Sequence, residues 1–104
     1  MEQILIGGRE RPIEFGWNGM RIFCREAKVP LAKIDRLGEE MTPDDVTILV
    51  YAGLRHGAER EKQKVDFTID DVGEWINDDI EVVGKAMKIF QEQMPKLKNH
   101  EAPK

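Results

Sequence analysis

Two histidines, one cysteine and three adjacent acid pairs are the residues of this 104-residue chain whose types invite chemistry. His56 or His100 could serve as a base or a metal ligand. Asp44-Asp45, Asp70-Asp71 and Asp78-Asp79 could bind a divalent cation. Cys24 could be a nucleophile, and Gly7-Gly8 could present backbone N–H groups to a phosphate. None of them sits in the pattern such chemistry needs. The chain has no HExxH, GxSxG or P-loop and no EF-hand spacing. Adjacent residues also point in different directions on a helix, so an acid pair makes a poor chelate.

Each candidate has a simpler account. The acid pairs stand where helices should start, and carboxylates are favoured at the positive end of a helix. His56 falls at the C-terminal end of an apolar helix, where a cation is favoured as a cap residue. His100 belongs to a polar tail. Cys24 shares an apolar face with Met20 and Ala27 and reads as a small core residue. Gly7-Gly8 lies between two strand-like runs, which is a turn and not a phosphate loop. Trp17 and Trp75 read as anchors of the core or its edge, although interfaces use the same residue type.

The elements that would position these residues follow from the pattern. Gln3 to Ile6 and Pro12 to Phe15 read as two strands of a hairpin over residues 1–16. Met20, Phe23, Cys24 and Ala27 keep helical spacing, with Asn18 as the expected N-cap. Pro30 breaks that helix. Leu31, Ile34 and Leu37 form a second short face, with Gly38 as its stop. Thr42-Pro43-Asp44-Asp45 opens a helix that is apolar nearly all round from Val46 to Leu54, hence buried and central, and Gly57 should end it. Residues 58–67 read as a polar loop or frayed extension. Thr68 with Asp71 caps a short helix through Val72, Trp75 and Ile76. A last helix presents Ile80, Val83, Met87, Phe90 and Met94, with Val82, Ala86 and Ile89 beside them, and Pro95 ends it. The expected fold is α+β and mostly helical: an N-terminal β-hairpin packed on four or five helices. Residues 1–95 form one domain, and 96–104 a disordered polar tail.

Composition excludes several roles. Sixteen Lys and Arg against twenty Asp and Glu leave a net charge of −4, which argues against nonspecific nucleic-acid binding. The start of the chain has no basic region before its apolar residues, as a signal peptide would. No apolar run is long enough to span a bilayer, so no membrane role is expected. A single cysteine cannot form an internal disulfide or a CxxC pair. The protein therefore reads as cytosolic and non-enzymatic, with no cofactor and no metal. The charge is uneven: residues 1–64 hold eleven acids and eleven bases, and residues 65–104 nine acids and five bases. Arg55, Arg60, Lys62 and Lys64 precede a run from Asp66 to Glu81 that contains no Lys or Arg.

The order of segments resembles the tail assembly chaperones of long-tailed bacteriophages and prophages. The resemblance rests on Ile6-Gly7-Gly8-Arg9-Glu10 leading through Pro12-Ile13-Glu14-Phe15-Gly16 into a helix. It continues with Tyr51-Ala52-Gly53-Leu54-Arg55-His56-Gly57 at a buried helix end, then Thr68-Ile69-Asp70-Asp71-Val72-Gly73 opening an acidic helix. It covers roughly Ile4 to Met94. The Ala-Gly-Leu-Arg-His-Gly helix end is the most unusual of these segments.

The resemblance implies a non-enzymatic role. Such proteins hold the tape measure protein, recruit tail tube subunits, self-associate, act in the cytoplasm of the bacterial host and are absent from the finished virion. Many are also made in a longer form by ribosomal frameshifting, and Leu97-Lys98-Asn99 permits the slippery codons UUA-AAA-AAC. The family carries over no catalytic residues. The partner-binding residues expected from charge and aromatic content are Arg55, Arg60, Lys62, Lys64, Asp70, Asp71, Glu74, Trp75 and Asp78. The alternative reading is a small regulatory protein–protein interaction domain of phage or bacterial origin.

Overall fold

Two glycines set the start of the fold. Gly7 and Gly8 both have positive φ, 64° and 85°, which a two-residue hairpin turn requires and a side chain opposes. In this computed structural model, which describes the backbone of residues 1–36 and 41–101 and the side chains of 1–34 and 41–94, the turn joins β1 (Gln3–Ile6) to β2 (Arg9–Pro12). The strands pair antiparallel, Ile6 opposite Arg9 and Gln3 opposite Pro12. The second strand thus begins three residues earlier than its apolar pattern suggests. A turn of only two residues leaves Arg9, Glu10 and Arg11 no loop to occupy, so they extend β2. Ile13 and Phe15 follow the strand as core residues, both fully buried. Their segment is held by Ile13 N–H to Glu2 O at 3.0 Å and Glu14 N–H to Gly53 O at 3.0 Å.

Helix α1 (Gly16–Ala27) starts two residues before the expected cap. Phe15 occupies the N-cap position without a side-chain cap, and its own N–H is satisfied by Gln93 Oε1 at 2.7 Å. Asn18 instead lies inside the helix and accepts a hydrogen bond from Arg21. A tertiary contact has replaced the local one. Lys28, at φ 59°, closes the helix ahead of Pro30. A short 3-10 helix (Leu31–Arg36) follows; the expected stop at Gly38 lies outside the described residues. Trp17 is 57% exposed, so it is not the core anchor its size suggests.

Helix α2 (Pro43–Arg60) carries the expected start: Thr42 Oγ1 accepts from Asp45 N–H, and Asp45 Oδ2 accepts from Thr42 N–H. Every residue from Leu49 to Leu54 is buried, as expected of a central helix. Gly57 does not end it. The helix runs three residues further, and Gly57 lies against the backbone of Pro12, where a Cβ would stand 2.5 Å from the carbonyl oxygen. Helix α3 (Ile69–Asp78) has the same reciprocal cap between Thr68 and Asp71. Helix α4 (Glu81–Glu101) buries Val82, Ala86, Ile89 and Phe90. Val83, Met87 and Met94 are half-buried beside them. Ile80 precedes this helix and is 75% exposed, contrary to its expected inward position. The helical backbone passes through Pro95 to Glu101, taking in residues 96–101 of the stretch read as a tail; residues 102–104 lie outside the described residues.

The hairpin and four helices share one core, with β2 against α2 and β1 against α4. A two-stranded hairpin is marginal alone. Here Ile4 and Ile6, both buried, tie it to the helices. Phe15 meets Phe90 edge to face, with ring centroids 5.3 Å apart. Among the described residues, no helix is long and apolar enough to cross a membrane.

Candidate protein-binding surface

Arg11 organises the face around Trp75 and Phe67. It is a β2 residue opposite Ile4, and only 9% of it is exposed. Burying a guanidinium is costly unless it is paired and hydrogen-bonded. Its Nε–H donates to Ile6 O at 2.9 Å, and Nη2 reaches Gly7 O at 3.4 Å. Its guanidinium carbon sits 4.4 Å from the Trp75 ring centroid and 5.5 Å from that of Phe67, within range for cation–π attraction. Asp66 stands 3.9 Å from Nη1, and also 3.8 Å from Arg9. Burial and the neighbouring Arg9 lower the affinity of Arg11 for its proton, against a weaker raising effect of Asp66. Phe67 then meets Tyr51 edge to face at 5.8 Å. The hairpin, the α2–α3 loop and α3 are thereby joined through one cation and three aromatic rings.

Trp75 has two neighbourhoods. One side meets Arg11 and Phe67. Another meets the turn, where a Cβ on Gly7 would stand 2.6 Å from the indole. Beyond it opens a cleft of about 440 Å³, lined by Leu5, Ile6, Gly7 and Gly8 and, across from them, by Trp75, Asp78, Asp79 and Val82. Its lining combines apolar Leu5, Ile6, Trp75 and Val82 with the carboxylates of Asp78 and Asp79. A second cleft of about 490 Å³ lies between the starts of α2 and α3, with Asp44, Asp70, Asp71 and Glu74 around Ile48 and Ile69. Asp71 is committed to its capping box.

The expected partner-binding residues separate into two groups. Asp70, Asp71, Glu74, Trp75 and Asp78 share α3 and line one or other cleft. Arg55 is held on its own helix, its Nε–H donating to Glu59 at 3.1 Å and Nη1 to the Tyr51 hydroxyl at 3.1 Å. Those two bonds raise its proton affinity. Arg60 ends α2, and Lys62 and Lys64 are exposed in the loop after it. The first cleft also takes in Leu5 and Asp79, which charge and aromatic content did not single out as contacts. The alternation of β1 contained a signal for Leu5, since it falls on the face opposite Ile4 and Ile6 once the turn sets the register.

The candidates for chemistry have structural duties. His56 is buried, and its Nδ1–H donates to the carbonyls of Glu14 at 3.1 Å and Phe15 at 3.0 Å. It clasps the entry to α1 across the core and is not a helix-end cap. Cys24 is half-buried, and burial pushes its thiol pKa up, away from a reactive thiolate. Among the described residues, no group of three His, Cys, Asp or Glu is placed to hold a metal ion. No family model, no curated protein and no solved structure matches this chain.

Proposed function

We propose that this chain is a phage tail assembly chaperone, a non-enzymatic protein that binds the tape measure protein and helps recruit tail tube subunits. The reading places it in the bacterial cytoplasm and outside the mature virion. The observation that carries it is the order of segments in the sequence, from the Gly-Gly hairpin through the Ala-Gly-Leu-Arg-His-Gly helix end to the acidic helix. In the fold, these segments meet at structural junctions. Gly53 and Gly57 face the chain leaving the hairpin, and Gly7 meets the indole of Trp75. The base-free face of α3, with apolar ground in both adjoining clefts, suits a protein partner.

Self-association belongs to the same proposal, driven by the basic residues Arg60, Lys62 and Lys64 of one copy against the acidic α3 of the next. A head-to-tail contact of this kind can propagate along an extended partner. Exposed charge pairing weakens with salt, so sedimentation at low and high salt should show assemblies that dissociate as salt rises.

The test of the central reading starts from the gene. It should lie between tail tube and tape measure genes, with a slippery run near the codons for Leu97 to Asn99 if a longer form is made. Co-expression should then keep the neighbouring tape measure protein soluble and co-purify with it. Equal solubility of the tape measure protein without this chain, and no co-purification, overturns the reading.

A further inference from the structure

We propose that the outer edge of β1 accepts an extended segment of a partner protein as a third strand, and that this segment alternates apolar side chains with Lys or Arg. The inference does not depend on which protein carries the segment, so it stands or falls apart from the tape measure reading.

The edge follows from the register. In an antiparallel pair, hydrogen-bonded and non-hydrogen-bonded residue pairs alternate. The two-residue turn makes Ile6 and Arg9 a bonded pair, and Ile13 N–H to Glu2 O continues the same parity at the other end. Ile4 is then bonded to Arg11, while the N–H and C=O of Gln3 and Leu5 point away from β2. Among the described residues, no hydrogen bond to these outer groups of Leu5 is formed outside the ladder. An unpaired strand edge is a template for another strand.

The cleft lies on this edge. Its lining includes Leu5 and Ile6 of β1 and no residue of β2, with α3 and the start of α4 as the opposite wall. Leu5 is 57% exposed, and Ile80, beside the lining residue Asp79, is the most exposed large apolar residue among those described. Such side chains would flank the apolar positions of an incoming strand.

Charge selects the occupant. Asp78 and Asp79 rim the cleft, Glu81 follows them, and Glu10 stands opposite Leu5 on the neighbouring strand. No Lys or Arg lines the cleft. The nearest hairpin cations are engaged elsewhere, Arg9 with Asp66 and Arg11 beneath the indole. An acidic segment would meet like charge at Asp78 and Asp79, and a basic one would find partners there.

The test uses fluorescein-labelled peptides about seven residues long, roughly the length of a strand. One alternates valine with lysine, a second alternates valine with glutamate, and a third is the lysine peptide N-methylated at alternate amides. The lysine peptide should bind by fluorescence anisotropy and slow the hydrogen exchange of the Leu5 amide. The glutamate peptide should bind at least about tenfold more weakly. N-methylation of the alternate amides that face β1, which preserves charge but removes the donors toward that edge, should abolish binding. Leu5→Lys and the double variant Asp78→Asn/Asp79→Asn should each weaken the lysine peptide by about five- to tenfold with unchanged thermal unfolding. Equal binding of the N-methylated peptide, or unchanged exchange at Leu5, overturns strand addition. So does the absence of peptide binding, including the case in which Leu5→Lys abolishes self-association and so assigns the edge to a second copy.

Discussion

The carbonyl oxygen of Pro12 lies 2.5 Å from the point where a Cβ on Gly57 would stand. Helix α2 and the strand exit are therefore in backbone contact, with no space for a methyl group. One turn earlier, a Cβ on Gly53 would meet the Phe15 ring at 2.6 Å. In an ordinary helix, Gly→Ala gains about 1 kcal/mol of helix propensity. Here the overlap is with backbone, which cannot rotate aside. Gly57→Ala should destabilise the chain by about 1–3 kcal/mol, as overpacking does. Urea unfolding checks it, and a midpoint at or above that of the parent would show that the two segments separate easily.

Arg11 predicts a different pattern. Arg11→Ala leaves Ile6 O without its side-chain donor and removes the cation from Trp75 and Phe67. A loss of about 1–3 kcal/mol is expected, with a shift of tryptophan fluorescence as the indole loses its cover. Arg11→Lys retains the charge but not the planar fork, so it should recover only part of the stability. Full recovery by lysine would reduce the role of Arg11 to its charge.

Leu49 is fully buried in the middle of α2. Leu49→Ala removes apolar contacts and leaves a cavity, with an expected cost of about 2–5 kcal/mol. A denaturant midpoint close to the parent's would contradict the central position of this helix.

Cys24 gives a pH dependence with a definite sign. Burial raises its thiol pKa above the ordinary 9.0, so the folded chain retains a proton that the unfolded chain releases. Its contribution is intact below pH 9.0 and is lost as pH rises through the higher folded value. Between pH 8 and 10 the parent should lose more stability than Cys24→Ala, in which the other alkaline groups titrate alike. Parallel losses in the two proteins would place the thiol in water.

Local chemistry made much of the fold legible in the sequence. Thr42 with Pro43 and Asp45, and Thr68 with Asp71, mark helix starts because the cap forms within four residues and needs no tertiary partner. Gly7-Gly8 marks a turn because positive φ is a property of the residue itself. The all-round apolar character of residues 46–54 indicates a buried helix, since no other setting removes every side from water. The acidic character of α3 was legible for a similar reason: a run of acids without bases is visible as composition.

Tertiary structure decided the remainder, wherever one residue could serve two purposes. Gly57 has the composition of a helix stop, yet its lack of a side chain is used to admit the backbone of Pro12. Asn18 is a good cap, but Gln93, distant in sequence, satisfies Phe15 and lets α1 begin earlier. His56 has the same type and position whether it caps a helix end or clasps Glu14 and Phe15; only the approach of the α1 entry distinguishes them. Arg11 looks like a loop charge until a two-residue turn places it in the strand, beneath the indole of Trp75. The cleft exists because that turn, the end of α3 and the start of α4 converge, and convergence of segments seventy residues apart has no local signature.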